Sequence, residues 1–347
     1  MSTTHEDIPV GVRAGVPAGP RDDVSGATPS SSLKELIDTR LHMPFPARRN
    51  PHEPAAAAGV QAWLTAWGLT DDPGVSAMIA RTRPAELASR TSPAVDQGLL
   101  QIVANQIAYQ FVFDDRAEDV GRRSPGALLP MLCESVSVLC DGAPPSTPLG
   151  ASLADLYRQV RERCTPAQAA RWAAKSREYV HGLLYEAVAQ AHSGALRTAD
   201  CTSIRSLTAG VEPFFPLYEA AQPHEVPDAE LHHPVVQRLS GLSANAAVWT
   251  ADLFSAVKEQ RAGEMINLAL AHQRESRCSL QTAVVMAIGE INDTIEEVRK
   301  LCAEIEPELS PAGVGYARGV IGWIRGCYDW SRTVPRYADV TSVPAVP

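Results

Sequence analysis

Glu53–Leu69 reads EPAAAAGVQAWLTAWGL. Strong helix formers fill it, and Val60, Trp63, Leu64 and Trp67 recur at steps of three and four, the period of one helical face. The same pattern returns at about 96–113, 127–140, 151–162, 166–193, 202–221, 228–240, 242–260, 263–274, 278–304 and 311–331. Between these runs stand clusters that break helices, among them RSPG, DGAPPSTPLG, AQPHEVPD and EPELSPAG. No two-residue alternation and no internal repeat is present, so the pattern predicts an all-α domain of about ten or more helices. Residues 1–32 are rich in Gly, Pro, Ser and Asp without apolar period, which predicts a disordered tail. The helical domain is expected over 33–340, with 341–347 as a loose C-terminal tail.

Composition narrows the function. The chain has 347 residues, a formal net charge of −9 and a pI near 5.5, which argues against a nucleic-acid backbone as partner. Seven cysteines form no Cys-x-x-Cys pair and read as reduced thiols, mostly small core fillers, in a cytoplasmic protein. No apolar run approaches the roughly 20 residues that a membrane span requires, and the N-terminal MSTTHEDIPV lacks the apolar stretch of a secretory signal.

The chemistry is written in FVFDDRAED, Phe111–Asp119. On a helix, Asp114 and Glu118 lie about 40° apart with Asp115 beside them. Three carboxylates on one edge raise each other's pKa unless a cation intervenes, and hard oxygen donors of this kind suit Mg²⁺. Taken alone, the motif reads as well as a solvated helix end stopped by Gly121. A second candidate is DLFSAVKE, Asp252–Glu259, where Ser255 and Glu259 stand at i and i+4 and Lys258 falls on the same side. Arg205 precedes a helical run interrupted by Gly210 and Pro213, and such a break exposes backbone N–H groups to an anion. Arg336-Tyr337 closes the ordered chain with two good phosphate donors. The acids need a cation and the arginines need an anion; a metal–diphosphate unit meets both needs.

These elements, in this order from about residue 42 to 340, resemble the bacterial class I terpene cyclases (terpene synthases). Asp114 to Glu118 resembles the family's aspartate-rich metal motif, and Arg205 its diphosphate sensor, with Thr208 and Ala209 at the linker and effector positions. Asp252 to Glu259 resembles the second metal motif, and Arg336-Tyr337 the terminal Arg-Tyr pair. The resemblance implies a class I terpenoid synthase helical bundle around a central apolar cavity, three Mg²⁺ ions, and a linear isoprenyl diphosphate substrate. Asp114, Asp115, Glu118, Ser255 and Glu259 would serve the metals; Arg205, Lys258, Arg336 and Tyr337 would serve the diphosphate; Phe111, Thr208, Ala209, Phe214 and Trp323 would line the pocket. The implied activity is that of a carbon–oxygen lyase cyclising farnesyl diphosphate, with geranylgeranyl diphosphate as the alternative. A homodimer is implied in the same way. Only one Asp-Asp-x-x-acid box is present, which favours cyclisation over chain elongation.

One position departs from the pattern. The family's first ligand of the second motif, an Asn, is Ala251 here. A methyl cannot ligate a metal, so water fills that vertex, Asp252 reaches over (about 20° from Glu259 on the wheel), or the metal is held weakly. A further alternative is therefore a member that binds isoprenyl diphosphate without turnover. Asn292-Asp293 is followed at the matching steps by Glu296 and Lys300, and a lysine would repel a cation, so NDTIEEVRK reads as a solvated face.

Overall fold

A computed structural model describes residues 32–191 and 196–341. The tail expected at 1–32 lies outside them save for Ser32, and that at 341–347 save for Thr341. No strand occurs among the described residues. The α-helices are α1 (Leu33–Arg40), α2 (Glu53–Ala66), α3 (Pro73–Thr82), α4 (Pro84–Thr91), α5 (Gln97–Gly121), α6 (Leu129–Asp141), α7 (Pro148–Arg163) and α8 (Pro166–Ala191). They continue as α9 (Thr198–Thr208), α10 (Phe215–Ala220), α11 (Asp228–Leu231), α12 (Pro234–Ala262), α13 (Leu268–Ser276), α14 (Leu280–Ile305) and α15 (Pro311–Thr333).

Local chemistry sets many of the starts. Proline occupies the first position of α3, α4, α7, α8, α12 and α15, where its missing N–H costs nothing. Asp96, Thr147, Asn267 and Ser310 accept backbone N–H groups at the starts of α5, α7, α13 and α15. Gly263 ends α12 in the left-handed region, at φ 74°.

Packing organises the bundle around α12, which is buried along most of its length and lies against α14 and α15. α5 packs on α2, α4 and α7; α8 packs on α6 and α9. Contact between α15 and α4 is close because Gly326 has no side chain: a Cβ there would stand 2.8 Å from the carbonyl oxygen of Arg90. The Pro335–Thr341 turn then folds back against α12, α15, α1 and α3, bringing the end of the domain to the mouth of the bundle.

Several sequence boundaries shift. The helix expected to end near 113 continues to Gly121, so the whole acid motif sits inside α5. The runs 228–240 and 242–260 are short α11 followed by a single α12 that passes through Gly241, because burial of the helix outweighs the cost of about 1 kcal/mol for an internal glycine. The run 202–221 is broken at Ala209–Val211, and the 3-10 turn Glu212–Phe214 leads into α10. All seven cysteines are free, as expected, but only Cys164, Cys201 and Cys327 are buried, so core filling describes fewer than half of them. Asn292 accepts the N–H of His42 (2.8 Å) and donates to the carbonyl of Arg40 (3.0 Å), fixing the end of α1 on α14. No helix among the described residues is long and apolar enough to cross a membrane.

Candidate active site

A cavity of about 210 Å³ opens between α5, α8, α9, α12 and α15. Twelve of the candidate residues line it. From α5 come Phe111, Asp114 and Glu118; from α9 and the break after it, Arg205, Thr208 and Ala209. Ser255, Lys258 and Glu259 face it from α12, Trp323 from α15, and Arg336 and Tyr337 from the terminal turn. Two of the candidates lie off its lining. Phe214 is fully buried off the cavity wall, its ring tilted against Trp323 with centroids 4.8 Å apart. Asp115 stands half-buried on the flank of α5, off the cavity lining, although the charges of Arg336 and Lys258 reach it.

Electrostatics distinguish this cavity from ordinary protein surface. Burial lifts the Asp114 carboxyl to about 6, with Asp115 and Glu118 pushing the same way against the pull of Arg205 and Arg336. Glu186, on the α8 wall, was not found from sequence; burial and the charge of Asp114 push it up to about 7. Glu264 lies in the loop after α12 and also faces the cavity, where burial and its neighbours Glu259 and Glu118 push it up to about 8. Arg122 bridges the mouth, pairing with Glu118 one turn earlier and with Glu264 at 3.3 Å.

The second motif is organised by a residue outside it. Asn267 Nδ2 donates to Glu259 Oε2 (2.8 Å), to the Asp252 carbonyl (2.9 Å) and towards Ser255 Oγ (3.4 Å), while its Oδ1 caps α13. Gln190 holds the intervening loop, donating to the carbonyl of Gly263 at 2.7 Å and accepting the N–H of Met265 at 2.9 Å. Asp252 does not reach toward the cavity. It is fully buried, its Oδ1 accepts Arg205 Nη2 at 2.9 Å and Nε at 3.0 Å, and its Oδ2 accepts the N–H of Leu268 at 3.0 Å. That removes Asp252 as a substitute for the missing Asn, and it aims Arg205. The methyl of Ala251 is on the cavity wall.

The helix break is anchored from α5. Gln110, one turn before Asp114, donates to the Gly210 carbonyl at 2.9 Å. Gly210 sits at φ 62°, and a Cβ there would meet the Gln110 amide at 2.9 Å, so only glycine suits the position. The apolar wall is aromatic. Phe111 stacks on Trp330 (5.9 Å), Tyr337 meets Trp330 edge-on (5.6 Å), and the Arg336 guanidinium lies 5.6 Å from the Phe111 centroid.

Among the described residues, no three acids, histidines or cysteines already converge into a metal cage. The candidate metal donors that face the cavity, from Asp114, Glu118, Ser255 and Glu259, are nevertheless hard oxygens, and burial of the Asp114 carboxyl is not fully compensated by Arg205 and Arg336. That donor set fits a divalent cation of the Mg²⁺ type.

Residues 106–297 match the family model described as terpene synthase family 2, C-terminal metal binding. The chain is 66% identical over 345 residues to a (-)-alpha-amorphene synthase of Streptomyces viridochromogenes, named as farnesyl diphosphate cyclizing, covering 99% of this chain and 98% of that one. It is 30% identical over 305 residues to a (+)-T-muurolol synthase of Roseiflexus castenholzii, also named as farnesyl diphosphate cyclizing, covering 86% and 93%. Among solved structures, germacradien-4-ol synthase from Streptomyces citricolor superposes with a TM-score of 0.73 at 26% identity, covering 85% of this chain and 98% of that one. A variant of cucumene synthase superposes with a TM-score of 0.74 at 25% identity, covering 85% and 99%. With its helical bundle, its cavity and these likenesses, the chain belongs to the class I terpene cyclase (terpene synthase) family.

Proposed function

We propose that the protein ionises farnesyl diphosphate and cyclises the resulting allylic cation to a terpene hydrocarbon or alcohol, releasing diphosphate in a Mg²⁺-dependent reaction. The observation that carries the reading is one cavity lined together by carboxylates, Asp114, Glu118 and Glu259, and by cations, Arg205, Lys258 and Arg336, with an aromatic wall. The fifteen-carbon substrate follows from the relative that is 66% identical, whose name carries farnesyl diphosphate.

Asp114 is assigned as the principal metal ligand of the first motif, with Glu118 on the same face and Asp115 as a supporting charge. Ser255 and Glu259 are assigned to the second site, held in register by Asn267. Three Mg²⁺ ions complete the proposed set; when bound, they supply Lewis acidity towards the diphosphate oxygens. The chain's own donors then do the orienting. Arg205, Lys258, Arg336 and the Tyr337 hydroxyl donate to the diphosphate oxygens, so negative charge appearing on the leaving group is met by groups already in place. Asp252 keeps the Arg205 fork aimed. Phe111, Trp323 and Trp330 exclude water from the carbocation, and each correctly placed ring face stabilises it by roughly 0.5–2 kcal/mol.

Incubating the protein with Mg²⁺ and the ten-, fifteen- and twenty-carbon diphosphates separately, then analysing solvent extracts by gas chromatography and mass spectrometry, tests the assignment. A cyclic fifteen-carbon product supports it; products from the twenty-carbon substrate alone would move it to diterpene synthesis. Ala251 favours a second reading, a protein that binds isoprenyl diphosphate without turnover. Saturable binding with no product from any substrate would establish that reading instead.

A further inference from the structure

Gln110 is a half-buried carboxamide on the wall of a cavity proposed to carry a carbocation, and none of the motifs accounts for it. Ile107 and Phe111 line the same cavity from α5, and Asp114 follows Gln110 by one turn. A leucine would fill comparable space without bringing an amide to an apolar wall, where a polar group is costly unless a hydrogen bond holds it. Gln110 has that bond: its Nε2 donates to the Gly210 carbonyl at 2.9 Å. Among the described residues, this is the one hydrogen bond that joins α5 to the segment running from α9 through the 3-10 turn Glu212–Phe214. The main packing of α9 is on α8, α12 and α13.

The fit is mutual. Gly210 stands at φ 62°, and a Cβ built on it would lie 2.9, 3.1 and 3.3 Å from the amide nitrogen, carbon and oxygen of Gln110. The amide therefore lies flat against the glycine, in space that any other residue at 210 would claim. What the bond fixes is the break itself, whose Thr208, Ala209 and Val211 are cavity wall and whose preceding helix carries Arg205. On the other side it is rooted in the helix that carries Asp114. One hydrogen bond thus ties the candidate metal helix to the candidate diphosphate helix. Competing branches of a carbocation cascade are separated by small differences in barrier, and one net hydrogen bond is enough to change their ratio about fivefold.

We propose that Gln110 is a positioning residue for the cyclisation: its amide braces the helix break against α5 and so sets the wall of Thr208, Ala209 and Val211 against which the carbocation folds. This deepens the cyclase reading and rests on it. Gln110→Met keeps the length of the side chain and removes the donor, whereas Gly210→Ala leaves Gln110 in place and pushes its amide away. Parent, both single variants and the double variant are incubated with Mg²⁺ and the ten-, fifteen- and twenty-carbon diphosphates, and steady-state rates, product ratios and thermal melts are recorded. In Gln110→Met, kcat should fall about fivefold with KM within about twofold, and the melt should stay within about 3 °C of the parent. The same minor or early-released products should rise about fivefold in both single variants, with no further change in the double variant, because either substitution alone removes the bond. Parental kcat and products from Gln110→Met overturn the proposal. So does a product change in Gln110→Met that Gly210→Ala does not share, which makes Gln110 a wall group rather than a brace. A lower melt with parental product ratios assigns the bond to stability alone, and a raised KM at parental kcat makes the amide a substrate contact; either result also overturns it. An active parent matched by its variants refutes the brace and leaves the cyclase standing, whereas a parent that converts none of the three diphosphates removes both.

Discussion

Replacing Asp252 separates a structural clamp from a metal ligand. Its two oxygens meet Arg205 at 2.9 and 3.0 Å and the N–H of Leu268 at 3.0 Å, with the carboxylate fully buried. Asp252→Ala leaves the guanidinium without its nearest anion, and breaking a buried pair in this way costs about 3–5 kcal/mol. The unpaired Leu268 N–H at the start of α13 adds about 1–3 kcal/mol. These do not sum, because the Arg205 side chain retains 21% exposure and the fields of Glu186 and Glu259. We expect a net loss of about 3–4 kcal/mol. The readout is the urea midpoint at unchanged slope, together with a melting temperature roughly 4–6 °C lower. Asp252→Asn should lose about half as much, since an amide can accept from one of the two donors but must turn its own NH₂ toward the other. A variant that melts with the parent yet binds Mg²⁺ more weakly would refute the clamp and return Asp252 to the metal.

Three further outcomes follow from the same geometry. Asp114→Ala should lower turnover at least about a hundredfold with the fold retained by circular dichroism; near-parental product formation would remove it from the metal site. Ala251→Asn should raise metal affinity several-fold, measured calorimetrically or by Mn²⁺ paramagnetic resonance, and no change would mean another group already fills that vertex. Glu186 carries a pH prediction: its folded pKa is raised from 4.5 to about 7, so its contribution to stability is present below about pH 4.5 and is lost as pH rises towards 7. Glu186→Gln should therefore be neutral near pH 5 and raise the metal-free melting temperature at pH 8, whereas a lower melt at pH 8 would mean the carboxylate is held by a cation.

What sequence could deliver was whatever depends on short-range spacing. Asp114 and Glu118 share a face because i and i+4 do so on any helix, and Ser255, Lys258 and Glu259 follow the same rule. The wheel argument for Asp252 failed for a reason the wheel hides. Asp252 and Glu259 are close in angle but seven residues apart, about 10 Å along the axis, so their carboxylates meet different partners. Phe214 failed because the tight turn at Glu212–Phe214 re-sets the register after the break and sends its ring against Trp323 rather than into the cavity. Glu186, Glu264 and Asn267 were invisible: each sits in a segment whose local pattern reads as an amphipathic helix or a polar loop, and packing alone brings them to the second motif.

The charges themselves argue for the order of events in the cavity. Arg205 is already engaged by Asp252, and Arg122 by Glu118 and Glu264, so the cations left to meet a ligand are chiefly Lys258 and Arg336. Burial above all, and neighbouring carboxylates after it, hold Asp114, Glu186 and Glu264 well above the ordinary carboxylate range, so the negative charge that ionising them would create is not fully neutralised by these partners. A bare diphosphate would add to that excess, and a metal alone would leave Lys258 and Arg336 without an anion. Binding of each therefore lowers the cost of binding the other, a coupling that is reciprocal by linkage. An alanine at 251 in place of a neutral amide would take one coordinating atom from the proposed metal site but none of its charge, so the electrostatic case for that site does not depend on it.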